Sequence, residues 1–208
     1  MKYILLDVDD LVFCNEVIAD CINTSSISYI ARRFGIDYLT ASDISNHLLP
    51  NVGHTTKIID HSLDTLQDFN HEVFAKLTIS ELAKHVTEEN RNTIKKLLQI
   101  KDTLDVEFVL CTNTPLMYCV RVFKAMQFSL FDLFSPKYIF TSDIIGCVKP
   151  DANYFNYVEE ELSHVEKSDL IFIDKNILHV KSAGKNFDNT IQITNQNMLH
   201  DCIVFECV

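Results

Sequence analysis

The chain has no tryptophan, four glycines and four prolines in 208 residues, and 18 lysines and arginines against 29 aspartates and glutamates. So little glycine and proline excludes collagen-like and low-complexity chains, and 47% hydrophobic residues exclude a disordered one. A formal net charge of −11 argues against a nucleic-acid polymer as partner, because that binding rests on Lys and Arg neutralising phosphates. A small anion needs local cations or a metal to overcome the same field. Seven cysteines are an odd count without a Cys-x-x-Cys pair, which speaks against both a zinc cluster and a disulfide framework. No apolar stretch approaches the ~20 residues of a membrane span. The first apolar run meets Asp7, Asp9 and Asp10 too early for a signal-peptide core. The expectation is a soluble, cytoplasmic protein with no membrane partner.

What is present begins with residues 3–6, apolar on both parities and ending at Asp7. That pattern suits a central strand of a parallel sheet covered on both faces, and open α/β sheets bind ligands outside the carboxyl ends of such strands. Beyond Phe13 the spacing turns helical through Val17, Ile18, Cys21, Ile22, Ile27, Ile30 and Ala31, with Gly35 as a stop. Short amphipathic pieces follow at 44–49, 55–59, 63–69 and 73–77, broken by Pro50, Gly53 and Asn70. With no strand signal between 14 and 104, residues 15–85 read as a small all-helical insert, and 1–14 with 86–208 as the core. In the core a helix over 88–101 precedes a strand over 106–111. Helices over 115–127, 152–162 and 177–183 then alternate with strands at 138–140, 170–173, 190–193 and 202–205. Such alternation predicts βαβ units and an α/β fold on a parallel sheet.

Four strand ends offer phosphate or metal chemistry. Asp7 and Asp9 lie two residues apart, on one side of an extended chain and about 6–7 Å along it. One carboxylate can attack phosphorus while the other protonates the leaving oxygen and later activates water. At Thr112 and Asn113 a hydroxyl and neighbouring backbone N–H groups can hold phosphate oxygens. Lys149 supplies a point charge against the gathered negative charge. Asp174 ends the strand 170–173 and can help hold Mg²⁺, a hard cation that takes one or two carboxylates plus substrate phosphate.

In this order the chain resembles the haloacid dehalogenase superfamily of phosphohydrolases, whose four motifs match Asp7-Val-Asp9, Thr112 with Asn113, Lys149 with Pro150, and Asp174. The resemblance implies a Rossmann-like core with a helical cap inserted after the first strand, and an aspartyl-phosphate route. It makes Asp7 the nucleophile and Asp9 the general acid and base, with Mg²⁺ on Asp7, the Asp9 backbone carbonyl and the fourth motif. Asp7-Val-Asp-Asp-Leu-Val-Phe13 and Val52-Gly53-His54-Thr55 are similar to signatures of the pyrimidine 5′-nucleotidase-like branch. That likeness implies a small phosphorylated substrate such as a nucleoside 5′-monophosphate.

Two positions depart from the branch. Leu11 stands where a threonine is usual, and Lys175 where a second acid commonly binds the metal. An inward Lys175 would put like charges in one pocket, so the alternative reading is a catalytically impaired binding or regulatory protein. His54 and Lys57 are candidates for substrate contacts from the insert. His47, His54 and His61 recur every seven residues but straddle Pro50 and Gly53, which argues against one helix face. Cys111 reads as a small buried hydrophobe, Asp151 as a helix N-cap, and Phe128, Phe131 and Phe134 as core.

Overall fold

The computed structural model describes residues 1–60, 62–196 and 198–207. Its strands are β1 (Lys2–Leu6), β2 (Val106–Thr112), β3 (Phe134–Thr141), β4 (Leu170–Asp174) and β5 (Asn189–Gln192), all parallel and ordered β3-β2-β1-β4-β5. β1 is central because both its edges are paired, Leu6 lying opposite Leu110 on one side and Ile173 on the other. Its alternating side chains feed two cores. Ile4 and Leu6 join the larger cluster, and Tyr3 and Leu5 the smaller one with Phe155 and Phe172. Ile4, Leu5 and Leu6 are completely buried, each stabilising by about 1.5–3 kcal/mol relative to exposure. This is why the run is apolar on both parities.

Helices α1 (Glu16–Phe34), α2 (Tyr38–Val52), α3 (Thr56–Ile59), α4 (Leu63–Phe74) and α5 (Ile79–Ala83) lie between β1 and α6 (Glu88–Thr103). Later come α7 (Leu116–Ala125), α8 (Leu130–Leu133), α9 (Ser142–Ile145), α10 (Ala152–Glu161), α11 (Ile177–Ala183) and α12 (Met198–Cys207). Asn15 starts α1 by accepting from the Ile18 N–H, and Gly35 ends it at φ 66°, a left-handed conformation that glycine adopts without a Cβ clash. Among the described residues no strand falls between β1 and β2, and no helix is long and apolar enough to cross a membrane.

Some expectations need correction. The strand expected at 202–205 lies inside α12, because Leu199 and Ile203, four residues apart and both buried, mark a helical face. Pro50 sits near the end of α2 and forfeits one backbone bond there rather than stopping the helix. Asn70 lies within a continuous α4, buried, with its amide donating to Ser142 Oγ at 3.4 Å, so the polar residue has a partner and the helix need not break. Phe134 is fully buried but Phe131 is 50% exposed. The three-residue spacing therefore does not put every ring in the core.

Candidate active site

The site is built where the ends of β1, β2 and β4 converge. Register places Asp7, one residue past β1, level with Cys111 and Asp174. Lys149 fills the space between the strand ends. Its Nζ donates to Asp7 Oδ2 at 2.9 Å, Asp174 Oδ2 at 2.6 Å and the Cys111 carbonyl at 2.8 Å, and it is wholly buried. Burial alone would depress this ammonium. Asp174 and Asp7 more than reverse that, leaving its pKa above the ordinary lysine value.

Asp174 is held from several sides. Burial would raise its pKa, but Lys149 first and His179 second pull it well below the usual carboxylate range. His179 Nδ1 lies 2.9 Å from the Oδ2 that takes Lys149, and the Asn176 N–H donates to Oδ1 at 2.8 Å. Asp7 is more open, its side chain 14% exposed, with Oδ1 accepting from the Val8 N–H at 2.8 Å.

Asp9 stands in a tight loop closed by the Val12 and Phe13 N–H groups donating to the Val8 carbonyl. Asp10 turns that loop at φ 64°, a left-handed conformation that aspartate tolerates better than most residues. Thr114 Oγ1 donates to Asp9 Oδ2 at 2.5 Å. Burial first, then the Asp7 charge, pushes the Asp9 carboxyl up to about 7. A buried carboxyl raised toward neutrality beside a more open one suits a general acid next to a nucleophile.

The second-motif side chains face inward. Thr112 is buried and its hydroxyl donates to Thr114 Oγ1 at 3.1 Å. Asn113 clamps the Lys149 backbone, its Nδ2 donating to that carbonyl at 3.0 Å and its Oδ1 accepting from that N–H at 2.6 Å. Lys175 turns away from Asp7 and Asp174: its ammonium is half-exposed and lies 3.4 Å from Asp10 Oδ2. Leu11 is completely buried.

The segment that carries α1–α5 closes one side of the site. Gly53, at φ 78°, lies so near Pro150 that a Cβ would sit 2.6 Å from its Cδ. Lys57 pairs with Asp151 at 3.4 Å, while Asp151 also caps α10 through the Asn153 N–H. His54 lines a cavity of about 290 Å³ between Asp9 and helices α1, α2 and α4. Burial, with His179 and Lys57 nearby, lowers its pKa to about 3 and keeps the imidazole neutral. Lys57 lies outside the lining of that cavity. His47 is exposed, with Nδ1 donating to the Asp43 carbonyl, and His61 lies outside the described residues.

The structure therefore gathers Asp7, Asp9, Lys149 and Asp174 at one place, with Thr112 and Asn113 behind them and Lys175 outside. It adds Thr114, the third residue of Thr-Asn-Thr, whose side chain faces Asp9 while that of Asn113 faces Lys149. It also adds His179, whose only sequence signal is an imidazole between Leu178 and Val180 in an apolar helix start. Ligand atoms of Asp7, Asp174 and His179 lie within 4.8 Å of one another. Asp7 and Asp174 supply the hard oxygen donors that suit Mg²⁺, which needs only one or two protein carboxylates.

The sequence matches no family model and no curated protein. Solved structures do resemble it. A HAD phosphatase of Thermococcus onnurineus is 18% identical, with TM-score 0.55 and 100% of both chains covered. A Porphyromonas gingivalis protein described as a predicted HAD-like family hydrolase is 16% identical at TM-score 0.58, covering 99% of this chain and 97% of its own. A HAD family enzyme of Bacteroides thetaiotaomicron, in complex with magnesium and inorganic phosphate, is 16% identical at TM-score 0.51, covering 92% and 93%. At these identities the likeness establishes the fold: the chain has the α/β, Rossmann-like architecture of the haloacid dehalogenase-like hydrolases.

Proposed function

We propose that the protein hydrolyses small phosphate monoesters, a nucleoside 5′-monophosphate being one candidate, with Asp7 as nucleophile and Asp9 as general acid and base. The observation that carries this reading is the geometry of the pair: Asp7 is held 2.9 Å from a buried ammonium, and Asp9, buried against Thr114 and raised to about 7, keeps its proton in a sizeable fraction of molecules near neutrality. An Asp7 oxygen attacks phosphorus as the bond from phosphorus to the leaving oxygen breaks, and the Asp9 proton passes to that oxygen. Asp9, now a carboxylate, takes a proton from a water whose oxygen attacks the phosphorus. The bond from phosphorus to Asp7 breaks, and inorganic phosphate leaves.

Lys149 holds Asp7 in position and offers charge to the phosphoryl oxygens. Thr112 and Asn113 act as positioning residues, since Asn113 fixes the Lys149 backbone and Thr112 fixes Thr114. Asp7, the Asp9 carbonyl and Asp174 would hold Mg²⁺, which when bound neutralises phosphoryl charge. Lys175 leaves this group for Asp10, so it adds no second positive charge to the gap between Asp7 and Asp174 that Lys149 already bridges. Helices α1–α5 serve as a cap that shields the reaction from water. Release of inorganic phosphate from a panel of monoesters, dependent on Mg²⁺ and abolished by Asp7→Asn, is the expected result. No turnover across the panel, together with no metal-dependent binding of beryllofluoride, would overturn the reading.

A further inference from the structure

The cavity beside Asp9 differs in character from the charged strand ends. Its insert side presents Ile18, Ala19, Ile22, Phe69 and Phe74, and no lysine or arginine lines it. Its acidic groups are Asp10 and Asp9, the latter a carboxylate once its proton has passed to the leaving oxygen, and His54 is kept neutral by burial. Nearby cations are already engaged elsewhere. Lys149 bridges Asp7 and Asp174, Lys175 lies on Asp10, and Lys57 on Asp151. Arg121 approaches from outside the lining and donates to the Phe74 carbonyl at 3.2 Å.

We infer that this cavity receives the leaving group, and that it selects monoesters whose leaving group is uncharged and partly apolar while rejecting those that carry a second anion. The inference rests on the phosphomonoester reading above and adds the substrate class. A buried anion needs a partner or hydrogen bonds to offset its lost hydration, and here Asn15, Asn23, Ser26 and Thr55 offer neutral hydrogen bonds but no cation faces it, beside aspartates and phenyl rings. About 290 Å³ is at the lower limit of the range typical of small-molecule pockets. A ring-sized body therefore fits, with its ester oxygen toward Asp9.

The test compares 4-carbamoylphenyl phosphate with 4-carboxyphenyl phosphate, which match in shape and differ by one negative charge. Like-charge juxtaposition costs enough that the neutral ester should be favoured by about 100-fold in kcat/KM. Ala19→Lys, on the exposed side of α1 and lining the cavity, should narrow that ratio to within about tenfold by giving the carboxylate a partner. Equal rates on both esters in the unaltered protein would overturn the selectivity while leaving phosphatase activity standing. If neither ester is hydrolysed, the matching aryl phosphonates measured by calorimetry separate the two claims. Preferential binding of the neutral phosphonate upholds the cavity assignment, and equal affinity overturns it.

Discussion

Replacing Asp9 by asparagine should make the protein more stable in alkaline buffer while removing its activity. In the folded chain burial and the Asp7 charge raise the Asp9 carboxyl from its ordinary 3.8 to about 7. Between those values the native state holds a proton that the unfolded state has lost. The stability associated with that proton is full below the unfolded pKa and is lost as pH rises through about 7. At ~1.4 kcal/mol per tenfold change in proton affinity, the loss is about 4 kcal/mol at most, reached above pH ~8. The substituted carboxamide would keep a hydrogen bond with Thr114 and carry no charge. The variant's margin over the parent should therefore grow from about 1.7 kcal/mol at pH 5 to about 4 kcal/mol above pH 8, the latter up to about 8–16 °C in Tm for a chain of this length. Thermal melts in metal-free buffer across pH 5–9 measure this directly. Parallel curves for parent and variant would refute the assigned burial and charge coupling of Asp9. The same residue sets the pH dependence of catalysis. kcat/KM should fall above about pH 7 as the general acid loses its proton.

Lys149→Met strands the buried Asp174 beside the partly buried Asp7, and breaking such a buried ion pair costs about 3–5 kcal/mol. The penalty should shrink in acid, because the low native pKa of Asp174 contributes stability only above the unfolded carboxylate value and is lost as pH falls. Denaturant titrations at pH 7 and at about pH 2.5, below the unfolded carboxylate value of 3.8, test this. Lys175→Asp should tighten Mg²⁺ binding in calorimetry and change stability by less than ~1 kcal/mol, since its pair with Asp10 is solvent-exposed. Gly53→Ala forces a left-handed φ on a residue with a Cβ and crowds Pro150. The expected cost is about 1–3 kcal/mol by chemical denaturation, with a rise in KM because Gly53 and His54 line the cavity.

Much of this chain is legible as a string. The run at 3–6 announces a doubly covered strand because burial on both faces demands apolar residues at both parities. The alternation after residue 88 marks a parallel sheet for the same reason of period. The final helix reads as a strand in the sequence because a short apolar stretch such as 202–205 satisfies either period, and only its packing through Leu199 and Ile203 decides. Spacing also singles out Asp7, Asp9, Lys149 and Asp174 as groups with suitable chemistry.

How those groups meet is a matter of tertiary structure alone. Lys149 touches Asp7 across 142 positions of sequence, and Thr114 reaches Asp9 across 105. No local pattern records such a pair, because the contact depends on which strands are neighbours and on where each strand ends. The direction of Lys175 is undecidable from sequence for the same reason. A lysine after a strand can turn either way, and here Lys149 already occupies the space between Asp7 and Asp174 while Asp10 offers a partner outside. The sequence by itself determined which residues are candidates for the chemistry. The sheet order, which seats β1 between β2 and β4, decided that a buried ammonium joins two of the carboxylates and that the third is buried beside Thr114 with its proton affinity raised.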